Sequence, residues 1–166
     1  MANLKFSGFT NEATAATTQL VGYKTGTTVN TRYSLAQVAA GLQPSLSQSF
    51  IVACSDETTA LTTGTAKATF RMPYAFTVTA VRASLTTAGT GVNLVTVDIN
   101  EGGSTILSTK ITIDATETTS VTAATQPVIS DASLANDAQM TVDIDQIDSG
   151  GVSAGLKITL IGYPTV

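Results

Sequence analysis

The sequence predicts an all-β fold, a single antiparallel β-barrel or jelly-roll-like sandwich preceded by an extended N-terminal arm, and three observations carry that expectation. From Ala66 to Ile113, β-branched residues recur on alternate positions between Gly, Asn and Asp punctuation. Thr, Ala, Ser, Val and Gly dominate while Lys and Glu are scarce, a balance that disfavours long helices and favours twisted strands joined by tight turns. Strand-like segments number about eight, the size of a small barrel or jelly roll.

The 166 residues, 17.0 kDa, fit one domain with a short appendage. Only 12% of them are charged, the net charge is -4 and the pI is about 4.5, so the chain has no basic footprint for nucleic acid or an anionic membrane. The expected partners are protein or neutral sugar. No tract approaches a membrane span, and Met1-Ala2-Asn3-Leu4-Lys5 opens without the apolar run of a secretion signal, which points to synthesis in a cytoplasm. With so few ions, threonine hydroxyls carry most of the surface solvation, and such a surface docks without desolvating many charges.

Residues 1–48 read as the arm. Leu4, Phe6, Phe9, Leu20, Val21, Tyr23, Val29 and Tyr33 are isolated large groups among small polar residues, the spacing of anchors and not of a core. A small hairpin is expected, Gln19 to Lys24 against Thr27 to Arg32 across Thr25-Gly26, since Gly26 tolerates a positive φ. A short helix over 34–42 should follow, with Ser34 as N-cap, Leu35, Val38, Ala39 and Leu42 on one face, and Gly41 near a left-handed end. Ordering each backbone costs about 1–2 kcal/mol, more than such sparse anchors return, so the arm cannot fold alone. It must lie on its own β domain, cross onto a neighbouring copy or stay disordered, and its evenly spread anchors favour crossing, which predicts a homo-oligomer held partly by exchanged arms.

Pro44 marks the boundary, and the β domain spans 49–166. Ser49 to Cys54 opens it, and a loop containing Asp56-Glu57-Thr58-Thr59 and Thr62-Thr63-Gly64 follows. Ala66 to Met72 places Ala68, Phe70 and Met72 inward, with Lys67, Thr69 and Arg71 in solvent. Pro73 breaks the ladder. Phe76, Val78 and Ala80 give way to Val81, Ala83 and Leu85, a parity change that a β-bulge would explain. Val92 and Leu94 followed by Val95, Val97 and Ile99 read the same way. Asn100-Glu101-Gly102-Gly103 is a turn, Ile106-Leu107 and Ile111 to Ile113 continue the meander, and Thr118 to Val121 is a further short strand. After Val128-Ile129 comes a loop rich in Asp and Ala; Met140, Val142 and Ile144 then alternate inward, and Leu156, Ile158 and Leu160 close the domain.

Chemistry is thinly represented. The chain has no histidine, which removes the usual general base, the usual triad and the commonest zinc ligand together. Asp143, Asp145 and Asp148 in DIDQIDSGG offer a carboxylate spacing seen in calcium loops, against the simpler account of a solvated strand face that discourages edge pairing. The reading therefore assigns no catalytic, cofactor or metal residue. Tyr74 beside Pro73 and Tyr163 before Pro164 are candidate sugar platforms at the sheet rims, against packing roles. Cys54, the one cysteine, sits beside Ile51, Val52 and Ala53 and reads as a small buried hydrophobe.

The block from Phe50 to Gly162, with FIVACSDETTALTTGTAKATFRMPYAFTVTAVRASLTT, VDINEGGSTILSTKITID, PVISD and IDQIDSGGVSAGLKITLIG in that order, resembles a β domain of tailed-bacteriophage virion structural proteins. VGYKTGTTVNTRYSLAQVAAGL resembles N-terminal segments of such proteins. The resemblance implies a capsid decoration (cement) protein, a homotrimer on the major capsid protein at the virion surface that stabilises the head through its arms. A fibre, neck or tail component with a glycan-binding domain is the other implied role. No catalytic motif comes with the resemblance.

Overall fold

The computed structural model describes residues 19–23 and 30–165, with side chains from Ser34 onward except Pro44. The chain divides into two compact units, 1–42 and 43–166. In the first, β1 (Gln19–Tyr23) pairs antiparallel with β2 (Asn30–Ser34). Gln19 faces Ser34 and Tyr23 faces Asn30, so the second strand lies two residues later than a turn at Thr25-Gly26 would set it. The expected partners Thr27 to Val29 fall outside the described residues. A shift of two preserves which side chains share a face, because strand side chains repeat every second residue.

Helix α1 (Leu35–Leu42) follows directly. Its start is fixed by a capping box: the Gln37 amide donates to Ser34 Oγ at 3.2 Å and the Ser34 amide to Gln37 Oε1 at 2.9 Å. Ser34 is thus the N-cap its sequence suggests. Gly41 is not a left-handed terminus; it lies within the helix without a positive φ, and a 3₁₀ turn, Gln43–Ser45, comes next.

The second unit is the all-β sandwich. Its principal strands are β3 (Gln48–Ala53), β4 (Gly64–Arg71), β5 (Phe76–Ser84) and β6 (Val95–Glu101), then β9 (Ile111–Ile113), β11 (Ser133–Leu134), β12 (Gln139–Gln146) and β13 (Lys157–Pro164). Minor strands β7 (Ser104–Thr105), β8 (Leu107–Thr109) and β10 (Val128–Ile129) decorate the middle of the chain, with β8 and β10 paired. One sheet runs β11-β5-β13-β3; the other runs β4-β12-β6-β7, with β9 also on β6. Counted in chain order, the first principal strand pairs with the last, the second with the seventh, the third with the sixth and the fourth with the fifth. That nesting, one long antiparallel hairpin wrapped over itself, is jelly-roll topology.

Alternation explains the core. Met140, Val142 and Ile144 of β12 and Ile158 and Leu160 of β13 are sealed, as are Phe76 and Val78 of β5 and Val97 and Ile99 of β6. Lys67, Thr69 and Arg71 of β4 face solvent as their parity requires. The parity change in β5 is a bulge: Ile161 faces Ala80 but Gly162 faces Val78, leaving Thr79 without a counterpart, so Val78 and Val81 both point inward. Gly162 is required there, because a Cβ would come within 1.9 Å of the Thr77 carbonyl oxygen.

The second parity change has a different origin. Val92, 85% exposed, precedes β6 in a loop, so the apparent switch is the start of a strand. A bulge does lie nearby on the partner, where Ile144 faces Val97 but Gln146 faces Thr96. Thr118 to Val121 is not a strand. Thr119 makes a single bridge to Ser84, closed by the Leu85 amide on Thr118 O at 2.9 Å and the Ser120 amide on Ala83 O at 3.0 Å, and the buried Ser120 hydroxyl also accepts the Ala83 amide at 2.9 Å. The turn after β6 is as expected, with Gly102 and Gly103 at φ 57° and 88°, the pair of positive values a tight hairpin needs.

Candidate functional site

The three aspartates of DIDQIDSGG do not converge. Asp143 Oδ1 accepts the Ala66 amide at 2.7 Å, where β4 bulges and Ala66 takes φ 49°, and its other oxygen accepts Asn100 Nδ2 at 3.1 Å. Asp145 pairs with Lys110 at 2.6 Å, and the same ammonium reaches Asp98 at 3.1 Å. Asp143 and Asp98 are directly opposite across β12 and β6, so Lys110 and Asn100 supply the donors that let this acidic face close. The hydrogen bonds to Asp145 and then Asp98 raise the Lys110 pKa above its ordinary value, keeping it cationic. Among the described residues no three acidic or cysteine side chains are grouped to hold a metal ion.

Asp148 serves architecture. It is buried and accepts the amides of Thr90 at 3.0 Å, Val152 at 3.2 Å and Ser153 at 3.1 Å. The 86–92 and 148–155 loops interlock around it. The Gly150 amide donates to Thr90 O, the Thr86 amide to Ala154 O and the Val92 amide to Ser149 Oγ. A Cβ on Gly89 would lie 2.4 Å from Asp148 Cβ, so the glycine is what admits the carboxylate. The 54–63 loop joins the same end, with Asp56 capping the Thr58 and Thr59 amides and Glu57 paired with Lys157.

The tyrosines divide. Tyr74 packs against Phe50 and Phe76, ring centroids 5.7 and 6.4 Å away, and its hydroxyl donates to Gln48 Oε1 at 2.6 Å, so the ring is a structural plug. Tyr163 lies half-buried in β13, opposite Thr77. Tyr23 and Tyr33 have no described side chains. Cys54 is buried, and burial pushes its thiol up to about 11, which makes it a packing atom without nucleophilic character at neutral pH.

One concavity stands out, a groove of about 440 Å³ beside the bulged part of β5. Thr79 and Arg82 line one wall, and Val121, Gln126, Val128 and Ile129 the other. Among the described residues that line it, Arg82 is the one that is charged, while Gln126 Nε2 is occupied holding the Ala123 carbonyl at 2.7 Å. The described lining is of hydroxyl, amide and aliphatic groups around one guanidinium, a surface suited to docking. Sequence reasoning missed it because Gln126 to Ile129 meets β5 only through the fold. Comparison with protein-family models, curated proteins and solved structures finds no match.

Proposed function

We propose that this chain is a non-enzymatic structural protein of a tailed-bacteriophage virion, a capsid decoration protein bound to the outside of the head lattice. It acts there as a homo-oligomer, a trimer, whose N-terminal units engage neighbouring copies or the major capsid protein. The observation that carries this reading is helix α1: none of its residues is buried, and Leu35 and Leu42 are 51% and 55% exposed. A helix of eight residues is far below the length of roughly 12–15 at which isolated helices are even marginal in water. It therefore needs a surface to lie on. The sparsely charged jelly roll supplies a rigid, low-desolvation body, and jelly rolls recur in viral capsids. That last support is fold-level analogy, added to the sequence resemblance described above.

Receptor recognition by a fibre or tail component is the second reading, and the groove beside Arg82, with hydroxyls at Thr79 and Ser120, is the observation that favours it. One experiment separates the two. Phage heads lacking the protein are heated or diluted into low salt and DNA release is followed, with and without added purified protein. Restored DNA retention supports decoration. Unchanged release, together with binding to a host-glycan array, supports the second reading.

A further inference from the structure

A β-sandwich has four sheet edges, and an edge strand with free N–H and C=O groups templates pairing unless something blunts it. In this domain three edges are blunted. β11 and β9 are two and three residues long, and β4 carries Lys67 and Arg71 together with the bulge at Ala66. β3 is different. All six of its residues pair with β13 on one side, none is charged or proline, and among the described residues nothing pairs with its other side. Ile51, at its middle, is 68% exposed.

The core is also open beside this strand. Phe50 and Val52 on the inner face of β3, and Ala68 and Phe70 on β4, are only half-buried, whereas the inward residues of β12 and β13 are sealed. Among the described residues the strand thus presents an unpaired ladder edge, an exposed β-branched side chain and a half-buried margin of core together.

We infer that β3 is a homotypic docking edge, to which a second copy of this chain adds its own β3 antiparallel, across a two-fold axis near Ile51. The occupant follows from the residues. Antiparallel alignment about Ile51 sets Phe50 against the second copy's Val52 on the inner side, so apolar meets apolar over the open margin. Ser49 meets the second copy's Ala53 on the outer side, small against small. No like charges are opposed, because the strand has none. A strand from an unrelated chain would have to bring this match with it; here one six-residue sequence contains both halves. The inference goes beyond the proposed function and needs neither the arm nor a capsid; alongside a three-fold trimer, the two-fold contact joins copies that belong to different trimers.

The test uses the full-length chain. Ile51→Cys is treated with a mild thiol oxidant and run on a non-reducing gel beside Thr69→Cys, an exposed outer position of β4; buried Cys54 does not compete. The I51C protein is expected to convert mainly to a linked dimer while T69C does not. Ile51→Lys, at a position exposed enough to leave the circular dichroism spectrum unchanged, is expected to lower the sedimentation-average mass by roughly two-fold. Equal cross-linking of the two cysteine variants, an unchanged mass for I51K, or I51C cross-links formed only to another protein in assembled particles would each overturn the inference.

Discussion

Asp148 Oδ2 accepts the Thr90 amide at 3.0 Å across two loops that are 58 residues apart in sequence, and the same carboxylate receives the Val152 and Ser153 amides. Asp148→Ala strips three amides of their acceptor at a buried site, where each unsatisfied group costs about 1–3 kcal/mol before relaxation or water entry. The predicted loss of stability is about 3 kcal/mol, with Asp148→Asn milder because its carbonyl oxygen still accepts. Urea unfolding checks it: a lower midpoint at unchanged slope is expected.

Stability should be flat through neutral pH and fall only in strong acid. The Asp56 carboxyl is lowered to about 2, chiefly by the Thr59 and Thr58 amides. At Asp148 burial opposes ionisation, but hydrogen bonds from Ser153, Thr90 and Val152 outweigh it and leave the pKa well below the usual carboxylate range. A pKa depressed in the folded state stabilises above the unfolded value of about 3.9 and ceases to do so as pH falls through the folded value. The melting temperature is therefore expected to hold from pH 8 to about 4 and to decline below it. With no histidine in the chain, a step centred near pH 6 would contradict this account.

Gly162→Ala is predicted to be among the most damaging single-atom additions in the domain. Its Cβ would meet the Thr77 carbonyl oxygen at 1.9 Å and Phe76 Cε1 at 2.7 Å, opposite the β5 bulge. Backbone cannot yield as a flexible side chain does, so a loss of about 3 kcal/mol or more is expected, measurable by thermal unfolding.

Much of the fold could be read from local pattern because burial in a sandwich follows a period of two. Met140, Val142 and Ile144 were assignable inward, and the switch from Val78 to Val81 announced a bulge without any knowledge of Gly162. What escaped depends on contacts distant in sequence. Asp148, in a run of Asp, Ser and Gly, reads as solvated; only the arrival of the 86–92 loop buries it. Ser133 and Leu134 read as loop but become β11 because Thr77 and Phe76 accept them as partners. Thr119 and Ser120 have strand composition, yet their pairing with β5 stops at one bridge, beside which the Ser120 hydroxyl takes the Ala83 amide. The groove beside Arg82 left no local signal at all.

Removal of residues 1–42 is predicted to leave the jelly roll folded and to weaken association or capsid attachment. The division at Leu42 leaves the sandwich with its own core, and Gln43 Nε2 still donates to Pro164 O at 2.8 Å. Circular dichroism and sedimentation of the truncated chain beside the intact one check this. Association and attachment equal to those of the intact protein would remove the arm from the account.

The abundance of the protein in purified virions, measured by quantitative mass spectrometry against the major capsid protein, tests the central claim most directly. Decoration of the head lattice predicts a copy number comparable to that of the capsid protein. A few copies per particle would contradict it and place the chain in a fibre, neck or tail.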